Sequence, residues 1–248
     1  MLSVKGLTKT FGGFTAVNSV SFDVKKGEIL GLIGPNGSGK STSFNLIAGT
    51  LVPTSGTIHF EDRPIHGLKA NAICRMGIGR TFQIPRPFTK MSLLENVMLA
   101  AWFGQGRKVD LETCRKQAIE AMDLVGLPTA THLTSEGMGA AGLKKLELAR
   151  ALASQPRLLL ADESLNGLDE TEMDQAAEML NMIRRERGIT IIWVEHIMGV
   201  LMRVVDRVVV LNQGQKIYDG DPKGAQTDPR VVEVYLGAEA ARELTEHA

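Results

Sequence analysis

The chain has 248 residues, 44% of them hydrophobic and 23% charged, and its 28 basic side chains are matched by 28 acidic ones. That length holds one large domain or two modest ones with a proper core, in a composition ordinary for a globular protein. The cancelled charge argues against a protein that holds nucleic acid mainly by neutralising its phosphates.

The opening "MLSVKGLTKTFGG" lacks a basic segment followed by an apolar core, so no secretory leader is expected. "SVSFDV" alternates apolar and polar residues and predicts a half-buried strand. "EILGLIG" is continuously apolar and then breaks into glycines, which predicts a fully buried strand running into a loop. "STSFNLIAGTL" continues as a helix with Gly49 as its stop, and "GTIHF" and "GIGRTFQ" read as further short strands. From about Pro85 to Gly142 the character changes to a helical insertion. There "SLLENVMLAAWF" opens on a capping box, Ser92 with Glu95, and "DLETCRKQAIEAMDLVGL" is a second helix. Beyond it "KKLELARALAS" is a helix, "RLLLADE" a strand, "ETEMDQAAEMLNMIRRERG" a helix and "ITIIWVEH" a strand. "RVVVLNQGQKIYDG" predicts a hairpin turning at "NQGQ". Alternating strands and helices indicate a mostly parallel sheet covered on both sides. The most apolar windows, "RLLLA" and "ITIIWV", fall far short of the roughly 20 residues a spanning helix needs. Cys74 and Cys114 have no close partner and no metal-like spacing, and read as reduced thiols.

"GPNGSGKST", Gly34 to Thr42, fits the pattern G-x-x-x-x-G-K-S/T. Its residues Gly34, Pro35, Asn36, Gly37, Ser38, Gly39, Lys40, Ser41 and Thr42 are the candidate cradle for a nucleotide triphosphate. The glycines let successive N–H groups curl around phosphate oxygens, and the following helix adds its positive end. Lys40 supplies a point charge for the β- and γ-phosphates, and the Ser41 hydroxyl is placed for Mg²⁺. Such a loop needs an acidic partner for the metal and a group to handle the attacking water. "RLLLADE" offers both at the carboxyl end of an apolar strand, where ligands gather in open α/β sheets. Asp162 would hold Mg²⁺ through water, and Glu163 would polarise the water that attacks the γ-phosphate.

With these motifs in place the chain resembles the ATP-binding subunits of ABC transporters, because "GPNGSGKST", "RTFQ", "LLLADESLNGLD" and "WVEH" occur in their order and spacing. The resemblance covers essentially the full length. It implies an α/β fold: a P-loop NTPase (RecA-like) core with an antiparallel β subdomain and an inserted α-helical subdomain. Residues 1–248 would be a single nucleotide-binding domain. Its catalytic core would be 1–83 and 146–236, its helical subdomain 84–145 and its C-terminal tail 237–248. The resemblance makes Gln83 the glutamine that contacts the metal and links the site to the membrane subunits. Asn166 to Asp169 becomes the loop that includes Asp169 among the nucleotide-binding residues, and His196 the histidine facing the γ-phosphate. Phe11 on its own reads as a core aromatic, but its position matches the aromatic that stacks on adenine.

In that family the helix "KKLELARALA" is preceded by the signature L-S-G-G-Q, which one subunit closes over the γ-phosphate held by its head-to-tail partner. Here Met138, Gly139, Ala140, Ala141 and Gly142 occupy those places. Gly139 removes a hydroxyl, Gly142 removes an amide, and Ala140 and Ala141 add methyls where glycine backbones approach the nucleotide. The helix N-terminus survives, so the cap is weakened rather than abolished. A homodimer would carry the defect at both sites, a heterodimer only at the partner's nucleotide.

"GIGRTFQIPRPFTKMSLLENVMLAA", "VVVLNQGQKIYDGDP" and "TDPRVVEVYLG" resemble the branched-chain amino-acid branch of the family. The resemblance implies ATP hydrolysis coupled to solute import, of branched-chain amino acids or related small amides and acids. It also implies permease subunits, an unlike second ATP-binding subunit and, indirectly, a substrate-binding protein, with no nucleic acid. The chain would be cytoplasmic and peripheral on the inner face of the cell membrane, with Ile84 to Met91 as the permease contact. Two alternatives remain: a subunit that binds nucleotide with little hydrolysis of its own, and an ATPase of the lipopolysaccharide-export type.

Overall fold

The computed structural model describes residues 1–106, 108–162, 169–195 and 198–237. In chain order its elements are β1 (Leu2–Phe11), β2 (Phe14–Val24), β3 (Ile29–Ile33), α1 (Lys40–Ile47), β4 (Ser55–Phe60) and β5 (Arg63–Pro64). There follow α2 (Ala70–Arg75), β6 (Ile78–Arg80), α3 (Leu93–Gly104), α4 (Leu111–Leu124), α5 (Ala140–Ala153) and β7 (Leu158–Asp162). The last are α6 (Glu170–Arg187), β8 (Thr190–Val194), α7 (Met198–Val204), β9 (Arg207–Asn212), β10 (Gln215–Gly220), α8 (Pro222–Thr227) and α9 (Pro229–Leu236). They divide into two compact units, 1–68 with the chain from 192 onward, and 69–191.

In the first unit an antiparallel sheet runs in the order β2-β1-β4-β5. β1 and β2 pair from Leu2 opposite Val24 to Phe11 opposite Phe14. A second group of strands places β9 parallel to β3, from Leu30 beside Arg207 to Ile33 beside Val210, and antiparallel to β10. Every residue of β3 is buried, as a continuous apolar run requires. The β9–β10 turn is the two-residue Gln213–Gly214, both at positive φ (46° and 78°), the geometry that lets a tight hairpin keep the twist of its strands. α1 ends at the stop expected from the sequence: Ala48 is its C-cap, and Gly49 follows in the left-handed region at φ 70°.

The second unit pairs β6 parallel to β7, Ile78 beside Leu158 to Arg80 beside Leu160. The strand expected through Gln83 ends at Arg80, and Thr81 makes the last bond to the neighbouring strand, its N–H to the Leu160 carbonyl at 3.0 Å. α3, α4 and α5 pack on one another, and Leu93, Val97, Cys114, Ala118, Leu146 and Ala149 on them are buried. The capping box at the head of α3 is formed, with Glu95 N–H donating to Ser92 Oγ and Ser92 N–H to Glu95 Oε2. α6 carries a second box, Asp169 with Glu172, acidic residues in its first turn, arginines in its last, and Gly188 in the left-handed conformation beyond it. Among the described residues no helix is long and apolar enough to cross a membrane.

Candidate functional site

The first unit carries the phosphate loop between β3 and α1. Gly34 leaves the strand at φ 149°, and a Cβ there would overlap the Leu211 carbonyl oxygen and crowd Ser38 Oγ, so only glycine lets the chain turn here. Gly37, at the exposed crest, has open space around it but sits at φ 79°. Lys40 is 5% exposed, and its Nζ donates to the carbonyls of Gly34 (2.7 Å) and Pro35 (2.9 Å). The loop is thereby folded around its own lysine. Ser38 N–H bonds the Pro35 carbonyl at 3.2 Å, and Gly214 N–H bonds the Ser38 carbonyl at 3.0 Å. The first bond of α1 runs from Ser43 N–H to Gly39 O, which leaves the preceding N–H groups of the first turn without intrahelical acceptors. Ser38 Oγ is buried and makes no hydrogen bond with the described residues. A ring of backbone donors, a buried ammonium and an orphaned hydroxyl is the donor set that phosphate oxygens take.

Tyr235 of α9 is half-buried near Gly34, its Oη makes no hydrogen bond with the described residues, and burial pushes its phenol up to about 12, with the Gly34 N–H pulling the other way. Phe11, read on its own as a core aromatic, is instead 44% exposed, with Lys9 Nζ 5.0 Å from its ring centroid.

The second unit carries Asp162, Gln83 and the stretch 138–142. β7 is buried throughout and delivers Asp162 at its carboxyl end. One carboxylate oxygen, Oδ2, accepts from Arg80 Nη2 at 2.7 Å, and the Asp162 N–H donates to Thr81 Oγ1 at 3.1 Å. Oδ1 makes no hydrogen bond with the described residues. Gln83 is exposed two residues beyond Thr81. The Asp162 carboxylate, the Gln83 amide oxygen and, in the first unit, the exposed Ser41 hydroxyl are hard oxygen donors, the type Mg²⁺ takes. Asp169 caps α6, its Oδ1 accepting from Glu172 N–H at 2.8 Å. Glu163, Asn166 and His196 lie outside the described residues.

The loop that follows Gln83 exposes Ile84 (68%) and Phe88 (49%). Sequence reading missed its anchor, Asn96, which is fully buried on α3. Its Oδ1 accepts from Phe88 N–H at 2.8 Å, and its Nδ2 donates to the carbonyls of Phe88, Met91 and Ser92. Arg150 of α5 adds a second tie, donating to the Arg86 carbonyl at 3.1 Å and lying over the Phe88 ring. Arg150 also pairs with Glu147 at 2.8 Å; burial pushes the Glu147 carboxyl up, and the guanidinium opposes it.

Gly139 is the N-cap of α5, with no side-chain cap, and Ala140, Ala141 and Gly142 form its first turn. A Cβ on Gly139 would meet nothing within 4 Å, and one on Gly142 would meet only the mobile end of Met138, 2.9 Å away. A cavity of about 150 Å³ lies beside this turn, walled by Phe82, Ala141, Leu148, Ala176 and Met179. Lys144, Lys145, Glu147 and Glu172 also line it, although most of its surface is apolar.

Residues 17–166 match the family model described as ABC transporter. The chain is 36% identical over 251 residues to the high-affinity branched-chain amino acid transport ATP-binding protein LivG of Salmonella typhimurium, covering 96% of this chain and 98% of that one. It is 34% identical over 253 residues to BraF of Pseudomonas aeruginosa, which carries the same description, with the same coverage. Among solved structures it resembles an ATP-binding cassette of an ABC transporter in its ADP conformation, with a TM-score of 0.86 at 29% identity, over 96% of this chain and 98% of that one.

Proposed function

Because the chain belongs to the ABC transporter family, we propose that it is the ATP-binding subunit of an importer, coupling ATP hydrolysis to solute passage through membrane permease subunits. The solute class is branched-chain amino acids or related small amides and acids, after the relatives that cover nearly the whole chain. The observation that carries the reading is the loop folded around buried Lys40, with its glycine turns and first-turn N–H groups. In this reading Gly34 to Thr42 cradle the phosphates, Lys40 meets the β- and γ-phosphates, and Phe11 stacks on adenine. Ser41, Gln83 and Asp162 hold Mg²⁺. When bound there, the ion would neutralise charge on the transferring phosphoryl group. Glu163 polarises the attacking water, His196 faces the γ-phosphate and Asp169 borders the nucleotide, roles taken from the family resemblance. Residues 84–145 act as the helical subdomain, with exposed Ile84 and Phe88 against the permease. The second ATP-binding subunit is an unlike chain, a substrate-binding protein delivers solute, and the assembly sits on the inner face of the cell membrane.

The test is binding of a fluorescent ATP analogue to the purified chain, followed by ATP-driven uptake in vesicles holding the permease and partner subunits. Lys40→Ala is expected to weaken binding on the order of 10- to 100-fold, the loss of charge-assisted bonds to phosphate. Unchanged binding would refute the reading. The residues at 138–142 favour one alternative, a subunit that binds ATP without turning it over. Nucleotide binding with no turnover by the complete assembly would establish it.

A further inference from the structure

Asp162 is 6% exposed, and a buried carboxylate is costly unless it is paired. Its partner is Arg80, at 2.7 Å, with the two side chains 13% and 8% exposed. Charge balance would account for the pair by itself, yet the geometry is more specific than that. Of the two carboxylate oxygens only Oδ2 accepts from the guanidinium, and Oδ1 makes no bond with the described residues. The backbone at Asp162 is fixed by the neighbouring residue, since Thr81 Oγ1 accepts its N–H at 3.1 Å while Thr81 N–H holds Leu160 O at 3.0 Å. The ring of Phe82 lies 5.3 Å from the Arg80 guanidinium carbon, so Arg80 is itself steadied by an aromatic face.

We propose that Arg80 is a positioning residue: it clamps Oδ2 of Asp162 so that Oδ1 is presented to hydrated Mg²⁺. The inference rests on the proposed role of Asp162 toward the metal. Carboxylates that serve metals are themselves hydrogen-bonded, and the outer partner sets their orientation. Without Arg80 the Asp162 side chain is free to turn about both of its torsions, and the oxygen offered to the ion is no longer fixed. Arg80 and Thr81 also lie just ahead of Gln83 and the exposed loop 84–91. The short segment that orients Asp162 is therefore the one that leads into the proposed permease contact.

The two accounts of the pair predict opposite signs. A guanidinium that only balances charge competes with the cation, so its removal leaves the Mg²⁺ requirement unchanged or lowers it. A positioning guanidinium lowers the requirement, so its removal raises it. The experiment measures binding of a fluorescent ATP analogue to the full chain, first in EDTA and then through a Mg²⁺ titration. It compares wild type, Arg80→Gln, Arg80→Lys and Asp162→Asn. Arg80→Gln is expected to raise the half-saturating Mg²⁺ on the order of 10- to 100-fold while leaving metal-free affinity unchanged. Arg80→Lys, which keeps the charge but not the planar fork, is expected to fall between. A half-saturation point that is unchanged or lower in Arg80→Gln overturns the proposal. If circular dichroism shows that variant unfolded, Arg80→Lys decides, and a wild-type midpoint there overturns it equally. Should Asp162→Asn keep the wild-type Mg²⁺ dependence, the metal role of Asp162 fails instead, whatever Arg80 does.

Discussion

The turn between β3 and α1 tolerates side chains unevenly, and the two glycines at its start and crest separate two physical causes. At Gly34 the obstacle is volume as well as conformation: a Cβ would overlap the backbone oxygen of Leu211 on β9, which cannot move without breaking the hairpin. At Gly37 nothing lies within 4 Å, and only the φ of 79° disfavours an L side chain. Gly34→Ala is therefore expected to cost about 3 kcal/mol or more, overpacking added to left-handed strain, and Gly37→Ala about 1–2 kcal/mol. Urea midpoints for the two variants check this ordering, and equal costs would contradict it.

Between elements, a firm tie in the first unit is Arg207 at the start of β9. It donates to Glu28 Oε1 and Asp219 Oδ1, each at 2.7 Å, and to the Asp23 carbonyl at 2.8 Å, joining β9 to β10 and to the segment around β2 and β3. Glu28 is nearly buried, so Arg207→Met strands a carboxylate and is expected to cost about 2–4 kcal/mol at neutral pH. Burial pushes the Asp219 carboxyl upward, but hydrogen bonds from Arg207 and Lys216 outweigh it and hold the group below its ordinary value. A lowered carboxylate contributes stability above its unfolded pKa and loses it as pH falls through the folded value. The cost of Arg207→Met should therefore shrink below about pH 4, which melting curves across pH 3–7 would reveal. A constant difference over that range would show that Asp219 is not coupled to Arg207. Such ties mark the limit of what the sequence discloses. The buried run of β3, the capping box of α3 and the β9–β10 turn were legible because each is set by neighbours within a few residues. Arg207 and Glu28 stand 179 positions apart, and Arg80 and Asp162 stand 82 apart. Pairs at that distance leave no periodicity to read. Asn96 is closer, eight residues from Phe88, yet it sits mid-helix as an ordinary polar residue until its burial reveals it as the anchor of the loop.

For the chain as a whole, the phosphate loop keeps its full pattern, while the stretch at 138–142, which the family resemblance aligns with the signature, has none of that signature's polar side chains. Under the proposed pairing with an unlike subunit, the partner supplies the missing cap. The chain's own nucleotide would be closed by the partner's signature, and only the partner's nucleotide would face the weakened one. The head of α5 is arranged so that this can be tested without harming the fold. Gly139 already has the extended N-cap conformation (φ −70°, ψ 173°) that serine adopts, and its Cβ position is open. Gly139→Ser should thus change stability by only a few tenths of a kcal/mol. Restoring a hydroxyl to a charged phosphate oxygen is worth about 1.5–3 kcal/mol, so ATP turnover by the chain alone should rise roughly tenfold or more. Mixed with an unlike subunit whose signature is complete, the wild-type chain should already turn over ATP at its own loop, and the substitution should add at most about a doubling, since one of two sites is already served. Turnover of the isolated chain equal to that of the mixture, with no response to Gly139→Ser, would remove the asymmetric pairing. The degenerate stretch would then be a variation without mechanistic weight, because a weakened cap can matter only where it is the cap in use.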